Sequence, residues 1–284
     1  MSLIAENFNE MWPKWGYLLA LALLLVSAGF SQLTWRGGRR VSFFLFPIAL
    51  GVGLAWWAKI WVAGLIFALT WMIFPFVQML ILTRRHRVKR HRTLESLMTV
   101  RSEFEAFRET AYAWEQLGFE NIEDCELKPS DPRQVFRFLV SKDRRFFVVV
   151  GLIGQEQWSF IYSAISCWSK DNEMHWMTWN YPLPYGLQLS PELRLWRCTT
   201  ARTPELLLEQ HLEFLRLNQV EARVRPELEN AEEARRVWSS WFERQMDYNL
   251  RHGWLRLTKE KGLVRYSWRG TLGALGQIFR VLLS

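Results

Sequence analysis

A long apolar run at residues 41–82 constrains this chain more than any other feature. Its 42 residues contain one charged side chain, Lys59, and the basic segment 84–92 (RRHRVKRHR) follows almost at once. A single helix of that length would be about 60 Å long, twice the roughly 30 Å hydrocarbon core of a bilayer. The run therefore predicts two membrane-crossing helices, with a turn near residues 57–60.

An earlier apolar segment at residues 16–34 predicts one more transmembrane helix. The alternative is a secretory signal peptide, because residues 26–28 resemble a small-residue cleavage site. However, Glu6 and Glu10 outnumber Lys14 before the apolar stretch, whereas a signal peptide begins with positive charge. We therefore expect three transmembrane helices, which we list with approximate bounds: 16–34, 41–57 and 60–82.

The distribution of basic residues predicts an orientation in a bacterial inner membrane. Residues 36–40 contain three arginines and residues 84–92 contain six Lys or Arg, whereas the N-terminus and the predicted turn contain only Lys14 and Lys59. Basic flanks stay in the cytoplasm, so we expect the N-terminus outside and residues after 83 inside. The predicted spans lack other ionisable residues, which argues against an ion pathway.

Charge separates the chain into two parts. Residues 1–92 hold 11 Lys or Arg and 2 Asp or Glu, whereas residues 93–284 hold 25 and 26. The net charge of +8 therefore comes from the membrane part, whose basic residues are expected to contact lipid headgroups. Because the rest of the chain is nearly neutral, nucleic acid is not an expected partner. The three cysteines are widely spaced, which predicts buried free thiols in place of zinc ligands or disulfides.

Residues 93–225 predict an α+β cytoplasmic domain. Apolar residues recur at three- and four-residue steps over 94–117, which predicts a helix there. Thr203 followed by Pro204 predicts the start of a second helix that ends near 218. Between them, short polar turns separate apolar strands, which is typical of an antiparallel sheet with flanking helices. The predicted strands are 121–127, 134–141, 145–152, 157–168, 174–180 and 195–200.

Residues 226–284 predict a C-terminal subdomain with the order helix, hairpin, helix. A long amphipathic helix covers 228–251, a turn at 259–262 joins two short strands, and a final helix covers 271–283. The final helix has two interpretations. Its apolar side either docks on the core of the domain, which is the more frequent use, or lies on the membrane surface.

Catalytic signatures are absent from the sequence, which contains no phosphate-binding glycine loop, zinc-protease motif or nucleophile elbow. Asp171, Glu173 and His175 could be imagined as a divalent-metal site, but they straddle a predicted turn where solvated polar residues are expected. His211 is expected to be packed among leucines. The sequence therefore predicts no catalytic, cofactor-binding or metal residues, and no cofactor.

Tryptophan is unusually frequent, with 17 in the chain and 10 of them after Arg92. Strand alternation predicts that Trp176 and Trp179 lie on opposite faces of the sheet. Two interpretations stay open: exposed indoles that contact a partner, or a sheet that helices cover on both faces.

Three hypotheses for function follow. The first is a non-catalytic, membrane-anchored module that binds a protein partner or a second copy of itself. The second is a membrane-bound enzyme or small-molecule sensor with a pocket between the sheet and the loop 181–186. The third is an accessory subunit of a transport assembly.

Overall fold

The chain forms two compact units, Met1–Leu82 and Thr83–Ser284. A computed structural model describes residues 18–28, 45–55, 61–91, 93–97, 105–128, 132–155, 158–171, 173–182 and 184–283. The boundary between the units lies where the apolar run ends, ahead of the predicted boundary at residue 92. The predicted boundary between 225 and 226 lies inside the second unit.

The first unit contains α1 (Leu18–Ala28), α2 (Leu45–Ala55) and most of α3 (Trp61–Arg85). Within the described ranges, only Val62–Arg85 is long and apolar enough to cross a membrane. The prediction of three transmembrane helices is therefore wrong, because described α1 and α2 fall short of the about 20 residues that a span needs. The predicted turn at 57–60 and the basic linker at 36–40 lie outside the described residues.

Small residues bring α2 and α3 into close contact. A Cβ atom added to Gly51 would lie 2.7 Å from the carbonyl oxygen of Gly64. Further along, the rings of Phe46 and Trp71 lie 6.3 Å apart, so the two helices run in opposite directions. Glycine at the crossing permits this close backbone approach.

The second unit is built on a seven-stranded sheet with the order β2-β3-β4-β5-β6-β7-β8. Neighbouring strands are antiparallel from β2 to β7, as predicted for β3 to β7, but β8 runs parallel to β7. A purely antiparallel sheet is therefore an incorrect prediction, because the segment 180–192 crosses over before β8 begins. The strands are β2 (Thr93–Ser96), β3 (Phe119–Lys128), β4 (Arg133–Ser141), β5 (Phe147–Gln155), β6 (Trp158–Trp168), β7 (His175–Trp179) and β8 (Leu193–Arg197).

The predicted helix at 94–117 begins later than expected. Residues 93–96 form the edge strand β2, in which Leu94 pairs with Leu127 of β3, and the described helix α4 is Glu105–Gln116. A short apolar pattern fits a strand and a helix equally, and the hydrogen bonds to β3 decide the outcome here. Gly118, at φ 89°, follows the helix.

Helices cover both faces of the large sheet. On one face α4 and α5 (Pro204–Leu217) bury Val135, Leu139 and Ile165. On the other face α6 (Ala231–Arg251) and a 3₁₀ helix (Pro226–Glu229) bury a second set, which includes Phe136 and Phe138. Burial on both faces explains why the strands are almost continuously apolar.

A smaller sheet with the order β1-β10-β9 and the helix α7 complete the second unit. Their bounds are β1 (Arg87–Lys89), β9 (Leu255–Leu257), β10 (Leu263–Tyr266) and α7 (Trp268–Leu283). Strand β1 comes from the basic segment that was predicted only to contact lipid headgroups. Three side chains of this basic segment instead pair with acidic side chains of the second unit: Arg87 with Glu260, Arg90 with Asp247 and His91 with Glu243.

Candidate functional site

A cavity of about 460 Å³ lies where the large sheet, α6, the loop 181–187 and the small sheet meet. The large sheet contributes one side chain from each of several strands, such as Ile153 of β5 and Trp179 of β7. The small sheet contributes Leu255 and Tyr266. Volumes of about 300–1,000 Å³ with mostly apolar linings are typical of small-molecule sites.

Seven aromatic rings form an unbroken series of contacts around this cavity, and we call them the aromatic ring series. Each ring lies between 4.9 and 6.3 Å from the next, centroid to centroid. Such tilted and stacked pairs stabilise one another by about 0.5–1.5 kcal/mol each, beyond the effect of burial. In order of contact the rings are Phe136, Trp238, Trp241, Tyr185, Trp179, Tyr181 and Tyr162.

A glycine in β5 sets the position of the Tyr162 ring. Gly151 pairs with Tyr162 across the antiparallel strands β5 and β6. A Cβ atom at Gly151 would come within 2.7 Å of the tyrosine oxygen and closer still to the ring. The absence of a side chain at this position therefore lets the ring lie across β5 and face the cavity.

Two amide side chains of α6, one turn apart, hold the segment 187–190 beside the cavity. Asn249 accepts a hydrogen bond from the Gln188 N–H and donates one to the Gln188 carbonyl, both at 2.8 Å. Gln245 accepts from the Ser190 N–H at 3.1 Å and donates to the Ser190 hydroxyl at 2.6 Å. These bonds satisfy backbone groups that the irregular segment leaves without strand partners.

The cavity lining includes hydrogen-bond donors that lack acceptors. The indole N–H groups of Trp179 and Trp241 and the Nε atom of Arg265 are buried without a partner among the described residues. Burial also raises the pKa of Tyr266 to about 12, and raises the pKa of Tyr181, so both phenols are neutral near pH 7. The site therefore combines aromatic faces with donor groups.

A second, more polar cleft of about 700 Å³ lies on the other side of Trp241. Three of its arginines already form ion pairs with glutamates at its rim: Arg223 with Glu173 at 2.6 Å, Arg225 with Glu227 at 2.6 Å and Arg236 with Glu233 at 2.8 Å. An ionic ligand would have to compete with these pairs, so the aromatic cavity is the stronger candidate site.

The three residues considered for metal binding do not converge. Asp171 and Glu173 are exposed, whereas His175 is buried at the base of the polar cleft. In the described part of the chain, no group of three His, Cys, Asp or Glu side chains is arranged to hold a metal ion. His211 is packed in the interior, with its Nδ1 atom 2.9 Å from the Thr178 hydroxyl.

The tryptophans of the large sheet divide between its two faces as alternation predicted. Trp176 packs with Leu215 of α5, whereas Trp179 packs with Trp241 of α6. Trp168 is buried as well, and the side chain of Trp158 lies outside the described part. For these three indoles, coverage by helices is therefore the correct interpretation.

Sequence reasoning located the loop beside the cavity but missed most of its lining. The aromatic residues of α6 were interpreted only as an apolar side, and Tyr162 was one of many aromatic strand residues. The available signal was the density of Trp and Tyr in 179–185 and 238–241. Comparisons with family models, curated proteins and solved structures gave no match for this chain.

Proposed function

We propose that this chain is a membrane-attached binding module that holds a flat, largely apolar ring compound bearing oxygen acceptors. The observation that carries this proposal is the aromatic ring series around a cavity of about 460 Å³. Planar apolar ligands gain from burial against such rings. This role corresponds to the small-molecule alternative among the sequence-based hypotheses.

The positive charge in the lining favours a ligand with oxygen acceptors over a plain hydrocarbon. The Arg265 guanidinium adds a positive charge to the lining. Aromatic carboxylates and ring ketones match this combination of properties.

Two adjacent serines of α6 offer a matched test. Ser239 lines the aromatic cavity, whereas Ser240 lines the polar cleft. Ser239→Phe should fill the cavity, and Ser240→Phe introduces the same change one residue away. Binding of 2-naphthoate and a panel of related ring carboxylates and ketones can be measured by saturation-transfer NMR, with the full chain in lipid nanodiscs.

The wild type and Ser240→Phe should bind members of the panel, and Ser239→Phe should weaken binding about tenfold or more, a change of about 1.4 kcal/mol or more. Thermal unfolding of each variant checks that it is folded. If no panel member binds the wild type, or if both variants bind equally, the proposed site is wrong.

Membrane attachment is proposed through α3. Its apolar window is not buried within the structure, which is unlike a core helix of a soluble protein. Arginines 84 and 85 end the helix, and the positive-inside rule then puts the second unit in the cytoplasm. A green fluorescent protein fused after residue 284 should fluoresce in bacterial cells. Activity of an alkaline phosphatase fused there instead would contradict this orientation.

Binding of a protein partner or a second copy, a role in a transport assembly and the absence of nucleic-acid binding stay predictions. Light scattering of the purified full chain in nanodiscs measures self-association directly.

A further inference from the structure

The helix α7 has one face docked on the second unit and one face that is exposed. Thr271, Ala274 and Leu275 are buried on the docked side. Trp268 and Leu272, one turn apart, are 57% and 61% exposed on the other side. Leu272 and Leu275 therefore lie on different faces of the helix.

Two glycines fix how α7 docks. A Cβ atom at Gly270 would collide with the Trp254 carbonyl, and one at Gly273 would lie within 2.8 Å of the Trp254 ring. The helix backbone therefore rests directly on Trp254. This contact fixes the rotation of α7 and keeps Trp268 and Leu272 on its exposed side.

Basic side chains accompany the exposed apolar residues. Arg269 and Arg280 are exposed on α7, and residues 268–284 contain no Asp or Glu. Tryptophan and leucine beside arginine are typical of a helix that lies in the headgroup region of an anionic bilayer. The charge of this face therefore matches a lipid surface.

A contact between Trp268 and Arg84 supports the same placement independently. The Arg84 guanidinium lies 3.5 Å from the centroid of the Trp268 ring. Arg84 belongs to the last turn of α3, two residues after the apolar Leu82. If α3 crosses the bilayer, Arg84 lies at headgroup level, and Trp268 must lie there too.

We propose that the exposed face of α7, formed by Trp268, Arg269, Leu272 and Arg280, lies in the headgroup region of an anionic membrane next to the end of α3. The proposal rests on the membrane attachment proposed above and does not depend on the ligand cavity. It makes α7 a second contact between the second unit and the lipid surface.

Three side chains of equal exposure allow a matched test. Leu65 of α3, Tyr112 of α4 and Leu272 of α7 are each 61% exposed. Each is replaced singly by cysteine, labelled with a nitrobenzoxadiazole fluorophore, and reconstituted as the full chain in vesicles of equal parts phosphatidylglycerol and phosphatidylcholine. The chain without an added cysteine gives the background, because its three native cysteines are buried.

Doxyl-labelled lipids should quench the fluorophores at 65 and 272, whereas aqueous iodide should quench the fluorophore at 112. Iodide quenching at 272 with lipid quenching at 65 would overturn the α7 contact and leave the anchor intact. Protection at 272 from both quenchers would indicate a protein occupant, such as a second copy, and would also overturn it. Loss of lipid quenching at 65 would refute the membrane attachment itself.

Discussion

The imidazole of His175 lies parallel to the indole of Trp168, with ring centroids 4.4 Å apart and planes inclined by 5°. Neither ring nitrogen has a hydrogen-bond partner among the described residues. Burial, with smaller contributions from Arg244, Arg225 and His211, lowers the pKa of His175 to about 3. Burial alone lowers the pKa of His211 to about 3 as well.

These two histidines should make stability depend on pH. The unfolded chain binds a proton at each histidine below about pH 6.5, whereas the folded chain binds it only near pH 3. The free energy of unfolding therefore keeps its full value above about pH 6.5. Below that pH it falls by up to about 1.4 kcal/mol per pH unit for each histidine. Urea unfolding between pH 6.5 and 5 measures this slope before most carboxylates titrate.

The variant His175→Gln should flatten the slope, whatever its effect on stability at pH 7. A His175→Gln protein that keeps the wild-type slope would show that the imidazole is not held neutral by burial.

The amide of Asn249 should contribute strongly to stability. Asn249→Ala leaves the partly buried N–H and carbonyl of Gln188 without their partners, so we expect a loss of about 1–2 kcal/mol. Asn218→Ala is the matched control, because the Asn218 side chain is exposed and donates one bond to Phe214. Chemical unfolding compares the two, and equal losses would contradict the role given to Asn249.

Alanine substitutions at two glycines of α7 should change the stability of the protein in opposite directions. Gly270→Ala drives a methyl group into the backbone carbonyl of Trp254, which we expect to cost about 1–3 kcal/mol. Gly276→Ala meets no atom within 4 Å and should stabilise the helix by up to about 1 kcal/mol. Thermal unfolding of both variants shows whether each substitution stabilises or destabilises the protein. If Gly270→Ala leaves the stability unchanged, α7 does not rest on Trp254.

Two buried thiols should resist alkylation in the folded protein. Burial raises the pKa of Cys125, with a further contribution from Glu123, and raises the pKa of Cys167 to about 12. Because the thiolate is the reactive form, iodoacetamide at pH 8 should modify neither residue until urea unfolds the chain. Mass spectrometry of the digested protein detects the adducts, and rapid native labelling at either site would contradict their burial.

Local patterns predicted most elements of the second unit. Polar turns located the strands, and Thr203 caps α5 by accepting a hydrogen bond from the Leu206 N–H as its sequence context indicates. Features that depend on distant partners were missed. The strand β1 pairs with β10, and β8 pairs in parallel with β7 after a segment that two α6 amides bind.

The candidate site was harder to predict than the fold. Its rings come from β4, β6, β7, α6 and a loop, and only tertiary packing brings them together. The predicted number of transmembrane helices was wrong for a different reason. Hydropathy identifies apolar segments, but the described helices Leu18–Ala28 and Leu45–Ala55 are shorter than a membrane span needs.

Binding of a flat ring compound in the aromatic cavity can be tested by photolabelling the full chain with a diazirine-substituted benzoate and mapping the adducts by mass spectrometry. Adducts are expected in 181–187 and 238–246. Excess 2-naphthoate should suppress them, and Ser239→Phe should abolish them. Adducts confined to 61–85, or adducts that persist unchanged in Ser239→Phe, would contradict binding in this cavity.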